Sequence, residues 1–118
     1  DLTSAVQEIN GIKVLASQLD GADAKALRLA IDKLKDKLGS AVVLLAGTEG
    51  DKISLVAGVT KDLAAQYPAG DLVRHVASQI GGKGGGKPDM AQGGGSDLAA
   101  LPGALESVRD WAASRAGS

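Results

Sequence analysis

Six consecutive apolar residues, Ala41-Val42-Val43-Leu44-Leu45-Ala46, offer water no polar position. A strand made of them must be covered on both faces. The turn cluster Thr48-Glu49-Gly50-Asp51 follows, then a second β-rich run at residues 52–59 (KISLVAGV). Two such runs around four polar residues predict a hairpin. Upstream, residues 11–19 (GIKVLASQL) alternate. Ile12, Val14 and Ala16 fall on one side, and Lys13, Leu15 and Ser17 on the other, so this is a strand with one better-buried face. Asp20-Gly21 ends it.

Residues 23–38 read as a helix. Leu27, Ala30, Ile31, Leu34 and Leu38 form one apolar stripe. Asp20 or Asp23 can cap its start, and Gly39 stands where a left-handed C-terminal residue belongs. Lys25, Asp32, Lys33, Lys35, Asp36 and Lys37 lie largely off the stripe, as a solvated face or an electrostatic contact surface. A second helix is expected over residues 71–80, with Leu72, Val76 and Ile80 at i+4 spacing and Asp71 as its cap. Pro68 and Gly70 set it apart from the hairpin, and Gly81-Gly82 stop it. A third runs from 101 or 102 to 114, with Pro102 in its first turn. Strand, helix, strand, strand requires a mixed sheet with at least one crossover. The expected fold is α/β (α+β): a small mixed sheet of three or four strands packed with three helices.

With 118 residues the chain is sized for one domain with one core. It holds one Trp, one Tyr and no Phe, so that core is Leu, Val, Ile and Ala. Without cysteine there is no disulfide framework, thiol nucleophile or Cys-ligated zinc. One histidine cannot build a multi-histidine metal site. No apolar run approaches the ~18 residues of a membrane span, and no signal peptide opens the chain. The simplest compartment is the cytoplasm. A net charge of -1 confines any nucleic-acid binding to a local patch. The chain begins at Asp1 without Met, and residues 1–10 read as the end of a preceding helical or linker segment of a longer protein. Residues 11–118 form the globular domain.

Glycine is concentrated: of 17, eight lie within residues 81–95, GGKGGGKPDMAQGGG. Three readings of this segment stand open on composition. It could be a flexible linker, although Lys83, Lys87, Pro88, Asp89 and Gln92 punctuate it. It could be a phosphate cradle, since residues 81–87 match G-x-x-x-x-G-K. Pro88, however, replaces the Mg²⁺-binding Ser or Thr, and the segment follows a helix, not a strand. Or it could be a surface loop whose bare backbone amides approach a polyanion. Lys83 and Lys87 then add charge, while Asp89 and Gln92 face hydroxyls or base edges. Met90 packs under the loop or against a base. Tyr67 and Trp111 read as packing residues, and His75 as a helix-surface or packed histidine.

The string at 81–95, followed by Leu101-Pro102-Gly103-Ala104-Leu105 and a Trp-bearing helix, resembles the end of bacterial alanyl-tRNA synthetases. So does Ala57-Gly58-Val59-Thr60-Lys61-Asp62 after the hairpin. The resemblance runs from residue 11 to 115 and points to the C-terminal, DHH-associated domain of that family, known as C-Ala.

The resemblance implies a tRNA-binding module without a catalytic centre. It would grip the elbow of tRNA(Ala), where the D and TΨC loops meet, and so support charging and editing elsewhere. ATP, Mg²⁺ and Zn²⁺ would belong to other domains of the parent enzyme. The implied RNA-binding residues are Lys83, Gly84, Gly85, Gly86, Lys87, Asp89 and Gln92; no catalytic or metal-binding residue is implied. Partners would be tRNA(Ala) and the rest of the same chain, with self-association as a homodimer in some members, and no membrane. One alternative is a dimerisation domain of the same enzyme. Another is the substrate-binding domain of a DHH-type phosphoesterase, where the glycine triplet is typically followed by His. Here Lys87 follows Gly84-Gly85-Gly86, which favours the synthetase. Asp62 and Asp89 are not an evident catalytic pair.

Overall fold

The computed structural model describes residues 2–115. Asp1 and residues 116–118, the outer ends of the two expected segments, lie outside the described residues. Leu2–Ala5 forms a 3-10 turn. Strands are β1 (Gln7–Ile9), β2 (Ile12–Asp20), β3 (Ala41–Glu49), β4 (Lys52–Val59), β5 (Lys83–Gly86) and β6 (Met90–Gly95). Helices are α1 (Ala24–Leu38), α2 (Ala69–Ala77) and α3 (Leu101–Arg115). One mixed sheet runs in the order β1-β2-β3-β4-β6-β5. Among the described residues only β2 and β3 pair in parallel, joined by the crossover helix α1.

The sheet has six strands, not three or four. The additions are its two edges. Residues 7–9, expected in a linker, pair antiparallel with β2. Residues 81–95, expected as a loop, contain β5 and β6, which extend the sheet beyond β4.

The central strand behaves as its composition demands. Ala41 to Gly47 of β3 are all buried. Ala41, Val43 and Leu45 face α1, packing with Leu15, Leu27, Ile31, Leu34 and Val56. Val42, Leu44 and Ala46 face α2 and α3, with Leu55, Leu72, Val76, Val108 and Trp111. Burying each large side chain of the α1 stripe contributes about 1.5–3 kcal/mol. The β3–β4 turn is tighter than expected, since Glu49 pairs with Lys52 and only Gly50-Asp51 loop out. Gly50 supplies φ +58° there.

Asp23 caps α1 by accepting from Ala26 N at 2.9 Å. Gly39 ends the helix at φ +80°, its N–H donating to Lys35 O at 3.0 Å. Lys13 Nζ donates to the terminal carbonyl of Leu38 at 3.0 Å, a cation at the negative end of the dipole. α2 starts two residues before the expected Asp71 and ends at Ala77, with Pro68 flanking its first turn. Gly70, expected as a breaker, lies inside it. A β-carbon on Gly70 would stand 2.8 Å from Gly86 O, so glycine lets the helix lie against β5.

Candidate nucleic-acid interface

Strand alternation sorts the glycine-rich hairpin into two faces. On β4, Ile53, Leu55 and Ala57 belong to the core under α2 and α3, while Val56 belongs to the core under α1. Register carries this across to β6 and β5. Gly95, Gly93 and Ala91 oppose Ile53, Leu55 and Ala57, and Gly84 opposes Gly93. These turn towards α2. Gln92 opposes Val56 and Gly85, and Gly94 opposes Ser54 and Lys83. Gln92, Gly94, Gly85 and Lys83 thus lie on the α1 side of the sheet, outward of Val56 and Met90, which pack into the core under α1. The result is an open strip of sheet edged by Lys83 and Gln92, both exposed.

Packing accounts for most of the glycines. A β-carbon on Gly93 would stand 2.7 Å from Gly84 Cα and 2.8 Å from Val73 Cγ1. One on Gly95 would stand 2.5 Å from Ile80 Cγ1, and one on Gly94 would stand 2.7 Å from Ile53 O. Gly84, expected among the ligand-facing residues, is instead covered by Val73. Gly85 differs: a β-carbon there would meet only the end of Arg74, with Nη1 at 2.9 Å.

The tip of the hairpin is fixed by backbone bonds. Lys87 N donates to Met90 O at 2.9 Å. Ala69 N donates to Pro88 O at 2.8 Å, and Val59 N to Asp89 O at 3.0 Å. The segment is therefore built into the fold, and the flexible-linker and P-loop readings fall away. Lys87 is exposed, while Asp89 and Met90 are half-buried. Together with Gly85, Gln92 and Arg28 of α1 they line one groove. Arg28 was missed in the sequence because its helix stripe showed only that it points away from the core.

Among the described residues, the ion pairs are Arg74–Asp71 and Arg115–Asp71. Lys83, Lys87 and Arg28 are in none of them. His75 is half-buried between α2 and α3, its Nε2 2.9 Å from Ser107 Oγ. Asp62 bonds to the Ser40 hydroxyl. The hydroxyls of Ser40 and then Thr60 hold its carboxyl below the usual carboxylate range. Among the described residues no three His, Cys, Asp or Glu side chains group as a metal site. Nor is any helix long and apolar enough to cross a membrane.

The sequence is similar to alanine–tRNA ligases. It is 57% identical over 113 residues to that of Hydrogenovibrio crunogenus, covering 96% of this chain and 13% of the relative. To that of Delftia acidovorans it is 57% identical over 115 residues, covering 98% of this chain and again 13% of the relative. The chain thus spans a small fraction of the relatives' length. The fold matches the C-Ala domain of Aquifex aeolicus alanyl-tRNA synthetase with a TM-score of 0.83 and 28% identity, covering 92% of this chain and 97% of that one. A DHH-domain member of the s1p ribosomal protein family shares the fold alone, with a TM-score of 0.63, 17% identity and coverage of 95% and 28%. The DHHA1 domain family model spans residues 11–114, from the start of β2 almost to the end of α3, and the chain belongs to that family.

Proposed function

We propose that this chain is the tRNA-binding C-terminal module of an alanyl-tRNA synthetase. It contacts the tRNA elbow and leaves charging and editing to the rest of its parent enzyme. The observation that carries the reading is the open strip of the β5–β6 hairpin. It presents Lys83 and Lys87 beside a glycine floor, and among the described residues no ion pair quenches either lysine. RNA corners are recognised through phosphates, 2′-hydroxyls and exposed bases, and this surface offers cations, amides and the polar groups of Gln92 and Asp89. The relatives' names and the C-Ala match supply the class of RNA. ATP, Mg²⁺ and Zn²⁺ would act in the other domains, and the working compartment would be the cytoplasm.

The test is a fluorescence-anisotropy titration with intact tRNA(Ala), at low and moderate salt, beside an acceptor-stem minihelix that lacks the corner. Saturable binding to the whole tRNA and none to the minihelix is expected. Binding to neither, with a concentration-dependent dimer in sedimentation, would move the role to assembly.

A further inference from the structure

α1 packs over β3 and β4 and meets the hairpin at Met90, and its flank there carries Arg28 and Lys35. Ile31 Cγ2 and Lys35 Cδ both reach the space beside Gly58, with Lys35 3.4 Å from where a β-carbon would stand. Gly58 pairs with Met90 of β6. One turn earlier on the same flank, Arg28 lines the groove with Gly85, Lys87, Asp89, Met90 and Gln92. Arg28 is exposed. Among the described residues it makes no ion pair, either with Asp32 one turn on or with Asp89 across the groove.

We infer that Arg28 is the second wall of the RNA site. A looped RNA segment lies between α1 and the hairpin, held by Arg28 on one side and Lys87 on the other, with an unpaired base over the floor at Gly85 and Gly94. The inference rests on the reading that this hairpin face contacts RNA. A base needs a planar partner, and RNA-binding surfaces use aromatic rings or guanidinium planes. The two aromatic rings, Tyr67 and Trp111, are buried in the core on the opposite face of the sheet. Of the two guanidinium groups beside the hairpin, that of Arg74 is tied to Asp71. Arg28 is the free one, able to fork onto a phosphate or stack on a base. Asp89 repels phosphate, which directs the backbone towards Arg28 and Lys87 and leaves Asp89 to accept from a 2′-hydroxyl. That donor makes the ligand class RNA.

The experiment titrates labelled tRNA(Ala) into the 118-residue chain and its Arg28→Ala, Arg28→Lys, Lys33→Ala and Lys83→Ala/Lys87→Ala variants. Circular dichroism verifies that each is folded. Lys33 is the charge control, since it lies on the other flank of α1, beside Leu2. Arg28→Ala should weaken binding about tenfold, the scale of one charged hydrogen-bonding contact. It should also lower the salt slope by about 0.7, the share of one phosphate on a single strand. Arg28→Lys should restore the slope but not the affinity, because a point charge neither forks nor stacks. Lys33→Ala should bind like the parent chain. Arg28→Ala binding normally while Lys83→Ala/Lys87→Ala is weakened would overturn the second wall and leave the hairpin reading standing. Equal losses in Arg28→Ala and Lys33→Ala would reduce the effect to general charge and overturn it as well. A parent chain that binds no tRNA would overturn both.

Discussion

Val73 of α2 sits directly over Gly93 of β6, its Cγ1 2.8 Å from where a β-carbon on that glycine would stand. The same β-carbon would lie 2.5 Å from Lys83 O and 2.7 Å from Gly84 Cα. Two of these neighbours are backbone and cannot swing aside. Gly93→Ala should therefore cost about 1–3 kcal/mol, the range for overpacking a fitted core. Gly85→Ala should cost almost nothing, since its β-carbon meets only the flexible end of Arg74. Urea unfolding midpoints of the two variants test this; similar losses would mean that α2 does not press on the hairpin as described.

The contrast matters for function, because it separates glycines that serve the fold from one that can serve a ligand. Gly85→Val adds a β-branched side chain to a strand that tolerates one, on the open face opposite Gln92. The variant should fold, yet lose affinity for tRNA(Ala) because the RNA backbone can no longer come down onto the floor. An anisotropy titration beside a thermal melt reads both properties. Normal binding by a folded Gly85→Val chain would remove close backbone approach from the mechanism.

Lys83→Ala/Lys87→Ala should leave the melting temperature nearly unchanged, since both side chains are exposed and neither forms an ion pair among the described residues. Its effect should appear in the salt dependence. Two lost phosphate contacts on a single-stranded segment lower the slope of log K against log salt by about 1.4. A slope identical to that of the parent chain would place the phosphate contacts elsewhere.

On the far face, Trp111 anchors α3. It is 8% exposed, its ring lies 6.2 Å from that of Tyr67, and Arg115 Cζ stacks 4.6 Å above it. Arg115 in turn reaches Asp71 of α2 at 3.2 Å, so one cluster ties the two helices together. Trp111→Ala should cost about 3–5 kcal/mol, a large part of the ~5–15 kcal/mol that stabilises a domain. Asp71→Ala should cost less than about 1 kcal/mol, because its pairs are solvent-screened. Chemical unfolding of both variants reads the ratio; a larger loss for Asp71→Ala would make the ion pairs, not the ring, the clamp.

The parts of the fold legible in the sequence are those whose side chains report their surroundings. The unbroken apolar run of β3 announced two covered faces, and the stripe of Leu27, Ile31 and Leu34 announced α1. The β5–β6 hairpin was illegible for the opposite reason. Glycine has no side chain to alternate and disfavours strands, so Gly84, Gly93, Gly94 and Gly95 read as a loop. What makes them a sheet is pairing to β4 and pressure from α2, neither of which is local. β1 was hidden because Gln7–Ile9 is short and pairs on one side only. Lys83, Lys87, Asp89 and Gln92 stood out in the sequence as candidates, but their division between two faces required the register, and the tertiary fold is what brings Arg28 beside them.

The last prediction concerns acid. Ser40 donates to Asp62 just after β4, and the Thr60 hydroxyl, which accepts from Ala41 N at 3.1 Å, acts on the same carboxyl. These hydroxyls hold the Asp62 carboxyl below its ordinary value of 3.8. A carboxyl depressed in the folded state stabilises the fold above its unfolded pKa, and that contribution disappears as pH falls through the folded value. Ser40→Ala removes the largest of the causes. The parent chain should therefore exceed Ser40→Ala in urea midpoint by a constant margin near neutral pH. The margin should begin to shrink as pH falls towards 3.8 and vanish below the folded value. Because Asp62 is exposed, the margin should be small. Midpoints at pH 7, 5 and 3 decide it: a margin that persists unchanged at the lowest pH would show that Ser40 acts through packing, not through the charge on Asp62.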